Sequence, residues 1–423
     1  MMLARLRHTL DFMPSPLRDR PGLLIRDPLR FSDATLILPP ALVACLEFFD
    51  GRHAELDLRA YLVQMTGDLD VGGLVRRLAD TLASAGFLED ENFARIKDAA
   101  ERAFAEAPVR EPVHAGSGYP ADPAELTEIF AEYLPERPSA ADGSLPLANA
   151  RGSETISSRD SQRAVTAIAA PHVSPFGGVE AYRAAYQSLQ PADAERTFVI
   201  LGTSHYGEPD RLGLTRKPFV TPFGEAATDS ALADRLAAAA GDGAFMEDYC
   251  HAIEHSIEFQ VVFLQYLFGP NIRIVPVLCG SYARSLYRGG LPEDDERVRR
   301  SLDALGDLAS KEGDRLLWVL GVDMAHMGRR YGDDFEAKAG RDEMEGVAQR
   351  DSARIDRMEQ GDARGFWNLV QENRDDLKWC GSAPIYAFLK AVPEARGGLL
   401  KYQQWNIDEH SVVSFAGMRF HSR

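Results

Sequence analysis

Two short apolar runs in this sequence each lead to a histidine: A-I-A-A-P-H, Ala167 to His172, and F-V-I-L-G-T-S-H, Phe198 to His205. A neutral imidazole nitrogen is a good ligand for iron, copper or zinc, so two of them delivered to one place begin a metal site. The runs Thr166–Ala170 and Phe198–Leu201 have the length and composition of buried strands, bounded by Pro and Gly. Both histidines therefore fall just past the carboxyl ends of strands. That is the edge at which an open α/β sheet binds its ligands.

Three further segments carry groups of the same chemistry. E-D-Y-C-H-A-I-E-H-S-I-E-F-Q runs into an apolar helix, and helical spacing puts His251 and His255 on one face, four residues apart. G-V-D-M-A-H-M-G, Gly321 to Gly328, follows another apolar strand and brings Asp323 and His326 to a strand end. K-W-C-G-S-A-P-I-Y, Lys378 to Tyr386, sets Cys380 before a Gly-Ser turn and a helix start, where a thiol shifts toward the thiolate that binds metal. Each has a plainer reading too: a hydrogen-bonded structural histidine, a small buried hydrophobe at Cys380, a turn cap at Asp323. His251 reads equally as a surface residue at the helix start and stays outside the ligand set. Cys250 and Cys279 stand in no motif, and the apolar neighbours of Cys279 make it a core residue.

The elements that must position these groups alternate. From Val165 strands exchange with helices: F-V-I-L-G, an Ala-rich helix at Ser230–Ala240, I-R-I-V-P-V-L, a helix around Val298–Ser310, then L-L-W-V-L-G-V-D. Such alternation predicts an α/β domain with a largely parallel sheet. Upstream, residues 1–90 read as a small domain: strands at L-L-I-R-D and A-T-L-I-L-P-P, three helical segments, and a short closing strand F-L after Gly86. That order predicts a winged-helix-like α+β unit. Residues 91–109 form a helical linker, with a charged helix over Asn92–Glu106, and the main domain covers 110–423. Within it Asp122 or Pro123 starts a helix at Ala124–Leu134, while 138–163, rich in Ser, Ala, Gly and Asp, reads as a flexible insertion.

Composition limits the partners. A chain of 423 residues accommodates two domains, and its formal net charge of −17 disfavours nucleic acid or an anionic membrane. No apolar run approaches the roughly 20 residues of a membrane span. The start, M-M-L-A-R-L-R-H, lacks the apolar stretch of a signal peptide, and Cys45, Cys250, Cys279 and Cys380 are scattered as in cytoplasmic proteins.

Six motifs occur in order: R-E-x-x-H-A-G-x-x-Y, A-P-H, G-x-S-H-Y, E-H-S-I-E, D-x-x-H-x-G and C-G-x-x-P-I. This series, from Arg110 to Met418, resembles the Memo family, whose bacterial members are called AmmeMemoRadiSam system protein B. The resemblance implies a fold similar to class III extradiol dioxygenases, a helix-flanked sheet with non-haem Fe(II) at its edge. It implies His172, His205 and Cys380 as metal ligands, His255 as an acid/base, and Asp323 and His326 as lining the same cavity. Two histidines and a thiolate are softer than two histidines and a carboxylate, which admits Cu(I) or Zn beside the Fe(II) that the resemblance puts first, and puts extradiol cleavage itself in doubt. His114, in the first motif, is expected to pack. P-H-V-S-P departs from the P-H-A-G-Y of many relatives, so the pocket floor differs. The N-terminal pattern resembles PqqD-like domains, which hold peptides for radical-SAM enzymes. The partners implied are a radical-SAM protein, an AMMECR-like protein and a peptide substrate. Two functions follow: a redox enzyme with a non-haem centre, or a non-catalytic peptide- or partner-binding module. A plain zinc hydrolase stands behind both, since cysteine beside two histidines is an uncommon catalytic zinc set.

Overall fold

The computed structural model describes residues 1–17, 19–134 and 164–422. The whole stretch 138–163 expected as an insertion, together with residues 135–137, lies outside the described residues. The chain divides into two compact units, Met1–Glu106 and Ala107–Arg423.

In the first unit, β1 (Asp11–Pro14), β2 (Leu23–Arg26) and β3 (Thr35–Leu38) form an antiparallel sheet in sequence order. A short α1 (Pro40–Val43) runs into a 3-10 turn, followed by α2 (Glu55–Thr66), α3 (Gly72–Ser84) and α4 (Glu91–Glu106). Leu58 and Leu62, then Val75, Leu78 and Leu82, recur at helical spacing and fill the core with Ile25, Cys45 and Phe87. Arg7 grips Asp27 with two hydrogen bonds of 2.9 Å, both side chains buried. Two details differ from the sequence reading. β1 is an additional strand, and the F-L segment contributes only a single bridge, Leu6 to Leu88. The charged helix expected as a linker belongs to this unit.

The second unit opens with α5 (Pro123–Tyr133), capped by Asp122 through the amides of Ala124 and Glu125. Then come β4 (Ala167–Ala170), α6 (Val179–Tyr186), β5 (Thr197–Thr203), β6 (Leu212–Leu214), β7 (Phe219–Thr221) and β8 (Gly224–Thr228). After α7 (Ser230–Ala240), β9 (Ala244–Met246) and α8 (Glu258–Phe268) follow β10 (Arg273–Cys279), α9 (Ala283–Arg288) and α10 (Glu296–Glu312). The chain closes with β11 (Leu316–Gly321), β12 (His326–Gly328), α11 (Glu343–Gln360), α12 (Ala363–Gln371), α13 (Ser382–Ala391), β13 (Ala395–Asp408) and β14 (Ser411–Ser422).

One mixed sheet runs β12-β14-β4-β11-β5-β10-β6-β9, with β13 paired on β14, β8 on β10, and β7 on β8. Its centre, β4-β11-β5-β10, is parallel. Both faces are covered because side chains alternate along each strand. Val199 and Leu201, with Trp318 and Leu320, enter the core cluster shared with α7, α10 and α13. Phe198 and Ile200, with Leu317 and Val319, enter the one shared with α5, α6 and α8. Cys279 is a core residue, as read. The sheet is less parallel than the alternation suggested, since the long hairpin β13–β14 adds antiparallel strands beside β4.

At the carboxyl end of the parallel centre, two glycines let another segment lie across the strands. A Cβ on Gly202 would meet the Ser256 hydroxyl at 2.5 Å, and one on Gly321 would meet the Ser256 backbone oxygen at 2.2 Å. Residues 254–258 are thereby pressed onto the edge where β5 and β11 end. Among the described residues no helix is long and apolar enough to cross a membrane.

Candidate metal centre

Past the end of β4, Pro171 carries the chain to His172, which is buried. Its Nδ1–H donates to the Gly321 carbonyl at 2.9 Å, which fixes the tautomer and leaves the Nε2 lone pair open. β5 runs on to His205, whose Nδ1 lies 3.0 and 3.1 Å from the two oxygens of buried Glu254. The same argument makes Nε2 its ligand atom. The two rings meet edge to face with centroids 5.0 Å apart.

The third donor arrives on the loop before α13. Asn373, Arg374, Asp375 and Lys378 all take positive φ there, a conformation that costs a non-glycine residue on the order of 1 kcal/mol or more. Tertiary bonds hold it. Asp375 accepts from Arg354 at 3.0 Å, the Trp379 indole donates to Asp351 at 2.7 Å, and Lys378 reaches Asp333 at 2.8 Å. Cys380 Sγ thereby comes to 3.2 Å from His172 Nε2. The ligand atoms of His172, His205 and Cys380 all lie within 4.8 Å of one another.

Around this trio stand the other groups. His255 stacks on His205 with centroids 4.9 Å apart and planes 13° apart, and its Nδ1 is 3.1 Å from Glu254 Oε1. Asp323 Oδ1 accepts the amides of His172 and Val173 at 2.9 and 3.3 Å, while Oδ2 lies 3.4 Å from His172 Nε2. His326 donates Nδ1–H between the carbonyls of Met324 and Lys378, at 2.9 and 3.1 Å, and meets the Tyr331 ring edge to face. All six residues singled out in the sequence thus come to one sheet edge.

The chain is similar to known proteins over most of its length. Residues 110–419 match the family described as Memo-like protein. The chain belongs to the Memo family. A MEMO1 family protein of Aquifex aeolicus is 25% identical over 408 residues, covering 94% of this chain and 96% of the relative. Those of Thermococcus kodakarensis and Methanopyrus kandleri are 30% and 29% identical, each over 74% of this chain, covering 99% and 98% of the relative. The archaeal relatives are thus matched over nearly their full length by about three quarters of this chain, and the Aquifex relative by almost all of it.

The donor set of this Memo chain suits one ion. Bonds of about 2.0–2.3 Å from two imidazoles and a thiolate place neighbouring donor atoms about 3.1–3.6 Å apart, a range that includes the 3.2 Å between Cys380 Sγ and His172 Nε2. Electrostatics divide the ring of histidines. Burial, with His205 and His255 close by, holds His172 well below the usual imidazole range. At His205 partial desolvation pulls the same way, but the Glu254 carboxylate and Cys380 overcome it and hold the ring well above the range. Burial lowers His326 to about 4 and raises Asp323.

Two expectations are corrected. Burial pushes the Cys380 thiol up rather than toward thiolate, outweighing His205 beside it and the helix start. His251 and His255 do not share a helical face, because Asp248 caps a separate 3-10 turn, Tyr249–Ala252, and α8 starts only at Glu258. His251, for which a surface position was one of two readings, is buried with its Nε2 bonded to the Gly213 carbonyl at 3.0 Å. His114 packs between His255 and Phe259, its Nε2–H on the Ile253 carbonyl at 2.9 Å.

Sequence reasoning missed Glu254, although it stands in E-H-S-I-E beside His255. The signal available was the recurrent pairing of ligand histidines with a carboxylate. It also gave no role to Glu258, on which Arg110, Tyr119 and the His114 amide converge. Arg110 further bonds the carbonyls of His251 and Glu254, each at 2.8 Å, and so bolts the first motif to the fourth.

Proposed function

We propose that His172, His205 and Cys380 hold a non-haem metal ion, Fe(II) first with Cu(I) or Zn as alternatives, in the pocket of a redox enzyme. The observation that carries this reading is the convergence of three donor atoms within 4.8 Å, two of them imidazole nitrogens whose partner nitrogens are already committed. A bound Fe(II) would supply one-electron chemistry and an open position for a small ligand. His255, with Nδ1 held by Glu254, exchanges a proton with substrate at Nε2. Asp323, its Oδ1 occupied by backbone amides, orients a ligand through Oδ2. His326 accepts a hydrogen bond at Nε2 from the far side of the pocket. Membership of the Memo family supports a place beside a radical-SAM protein and an AMMECR-like protein.

Elemental mass spectrometry of anaerobically purified protein tests this, beside the His172→Ala/Cys380→Ala double variant. Near-stoichiometric iron or copper, lost in the variant, is the expected result. Wild-type protein that stays metal-free after Fe(II) and Cu(I) reconstitution rejects it. With metal established, His255→Ala is expected to abolish O2 consumption while metal content holds.

A second reading, a non-catalytic peptide- or partner-binding module, draws support from the N-terminal unit, which has its own core and lies for the most part within the span shared with the Aquifex relative. It predicts that removing residues 1–106 abolishes co-purification with the radical-SAM partner and that His255→Ala changes nothing.

A further inference from the structure

Beside the His172–His205–Cys380 trio lies a second group of ligand type: His205, Glu254 and His255, with donor atoms within 4.8 Å of one another. Its bonding decides whether it is a second ion site. Glu254 accepts four hydrogen bonds, from the amides of His205, His255 and Ser256 at 3.0, 2.8 and 3.2 Å and from His205 Nδ1 at 3.0 Å, and His255 Nδ1 pairs with the same Oε1 at 3.1 Å. A carboxylate offers about four lone-pair directions, so none is left for an ion. The backbone amides also fix where both oxygens point, and the side chain is buried, so no water competes. Arg110 holds the Glu254 carbonyl from behind.

We propose that Glu254 is a positioning residue that orients two imidazoles at once. One carboxylate keeps Nδ1 protonated on both the ligand histidine, His205, and the proton-transfer histidine, His255. Both Nε2 atoms are then presented to the same pocket from parallel, stacked rings. The consequence for catalysis rests on the metal-centre reading above; the hydrogen bonding stands without it. Both Nδ1 atoms face Oε1, so a glutamine with its oxygen in that place still serves both rings, and the deciding variant is Glu254→Leu, which removes every acceptor at similar volume. Neither Nδ1–H then has its partner, and both rings are free to turn over or to move the proton to Nε2.

The test uses the full chain with ¹⁵N-labelled histidine, its ring signals assigned by loss in His205→Gln and His255→Gln. In metal-free wild-type protein both His205 and His255 are expected to carry a hydrogen-bonded proton on Nδ1. In Glu254→Leu neither is expected to keep it, and Zn(II), used as the probe ion, binds about 10–100-fold more weakly. A bare Nδ1 on either histidine in the wild type overturns the proposal, and that reading does not depend on Glu254→Leu folding. It is equally overturned if Glu254→Leu leaves both rings unchanged, or alters them without weakening Zn(II). Wild-type protein that shows both Nδ1 protons but takes up no metal rejects the metal centre and leaves the assignment of Glu254 in place.

Discussion

Asp351 and Glu254 are both buried carboxylates saturated by hydrogen bonds, yet their bonds end in different places. Asp351, on α11, accepts from the Trp379 indole at 2.7 Å, the Tyr402 hydroxyl at 2.7 Å and the Ser414 hydroxyl at 2.6 Å. Trp379 packs in the core, while Tyr402 and Ser414 tie in the two strands of the C-terminal hairpin, so Asp351 fastens scaffold to scaffold. Glu254 fastens scaffold to two rings whose side chains are 25% and 28% exposed, at the open strand ends. Burial and saturation therefore do not separate a structural carboxylate from a functional one. What separates them is whether the donor's other end is packed or left facing a pocket.

The largest effect expected from this comparison is on stability. Asp351→Ala strands three buried donors, each costing about 1–3 kcal/mol, so unfolding in urea should show a loss of at least about 3 kcal/mol. Metal retention should fall with it, because Trp379 adjoins Cys380. Glu254→Gln, whose oxygen in the Oε1 place still serves both rings, should lose far less stability than Asp351→Ala. Equal stability losses in the two variants would break the comparison.

Next comes Gly321→Ala, which probes how residues 254–258 reach the strand ends. Its Cβ would sit 2.2 Å from the Ser256 backbone oxygen, and backbone cannot swing aside as a side chain tip can. A destabilisation of about 1–3 kcal/mol is expected by thermal unfolding, with weakened metal binding because the Gly321 carbonyl also orients His172. Wild-type stability and affinity would mean that the segment does not depend on this close approach.

How much of this was legible in sequence follows from how local each signal is. The buried strands β4, β5 and β11 announce themselves as apolar runs, and the placing of His172, His205 and His326 past their ends follows from strand length alone. The β13–β14 hairpin stayed hidden because β13 is half-buried along nearly its whole length and shows no clean alternation. The break between His251 and His255 came from a cap, Asp248, inside a segment whose periodicity looked continuous. Asp351 was invisible for another reason: its partners lie 28, 51 and 63 residues away, and no local pattern links them.

A smaller, pH-dependent effect sharpens the pocket side of the comparison. Burial lowers His326 from 6.5 to about 4. The unfolded chain then binds a proton that the folded chain refuses, so stability from this group is full above pH 6.5 and is lost as pH falls toward about 4. In metal-stripped protein, His326→Asn should flatten the unfolding profile across that window. An unchanged slope would mean that His326 is not held neutral by its surroundings.

The smallest stability change should come from Cys380→Ser, although it should remove the most from the site. The side chain is only half-buried, and its partners, His172 Nε2 at 3.2 Å and the Asp323 carbonyl at 3.8 Å, can both be met by a hydroxyl. Since no packed group depends on the sulfur, the change in unfolding free energy should stay below about 1 kcal/mol. The donor set, however, passes from soft to hard, and Cu(I) retention should drop more steeply than Zn(II) retention. Cys380 and Asp351 would then mark opposite ends of one scale, donors spent on the pocket and donors spent on the fold. A serine variant as unstable as Asp351→Ala would place Cys380 with the scaffold, and the strained loop that delivers it would need another purpose.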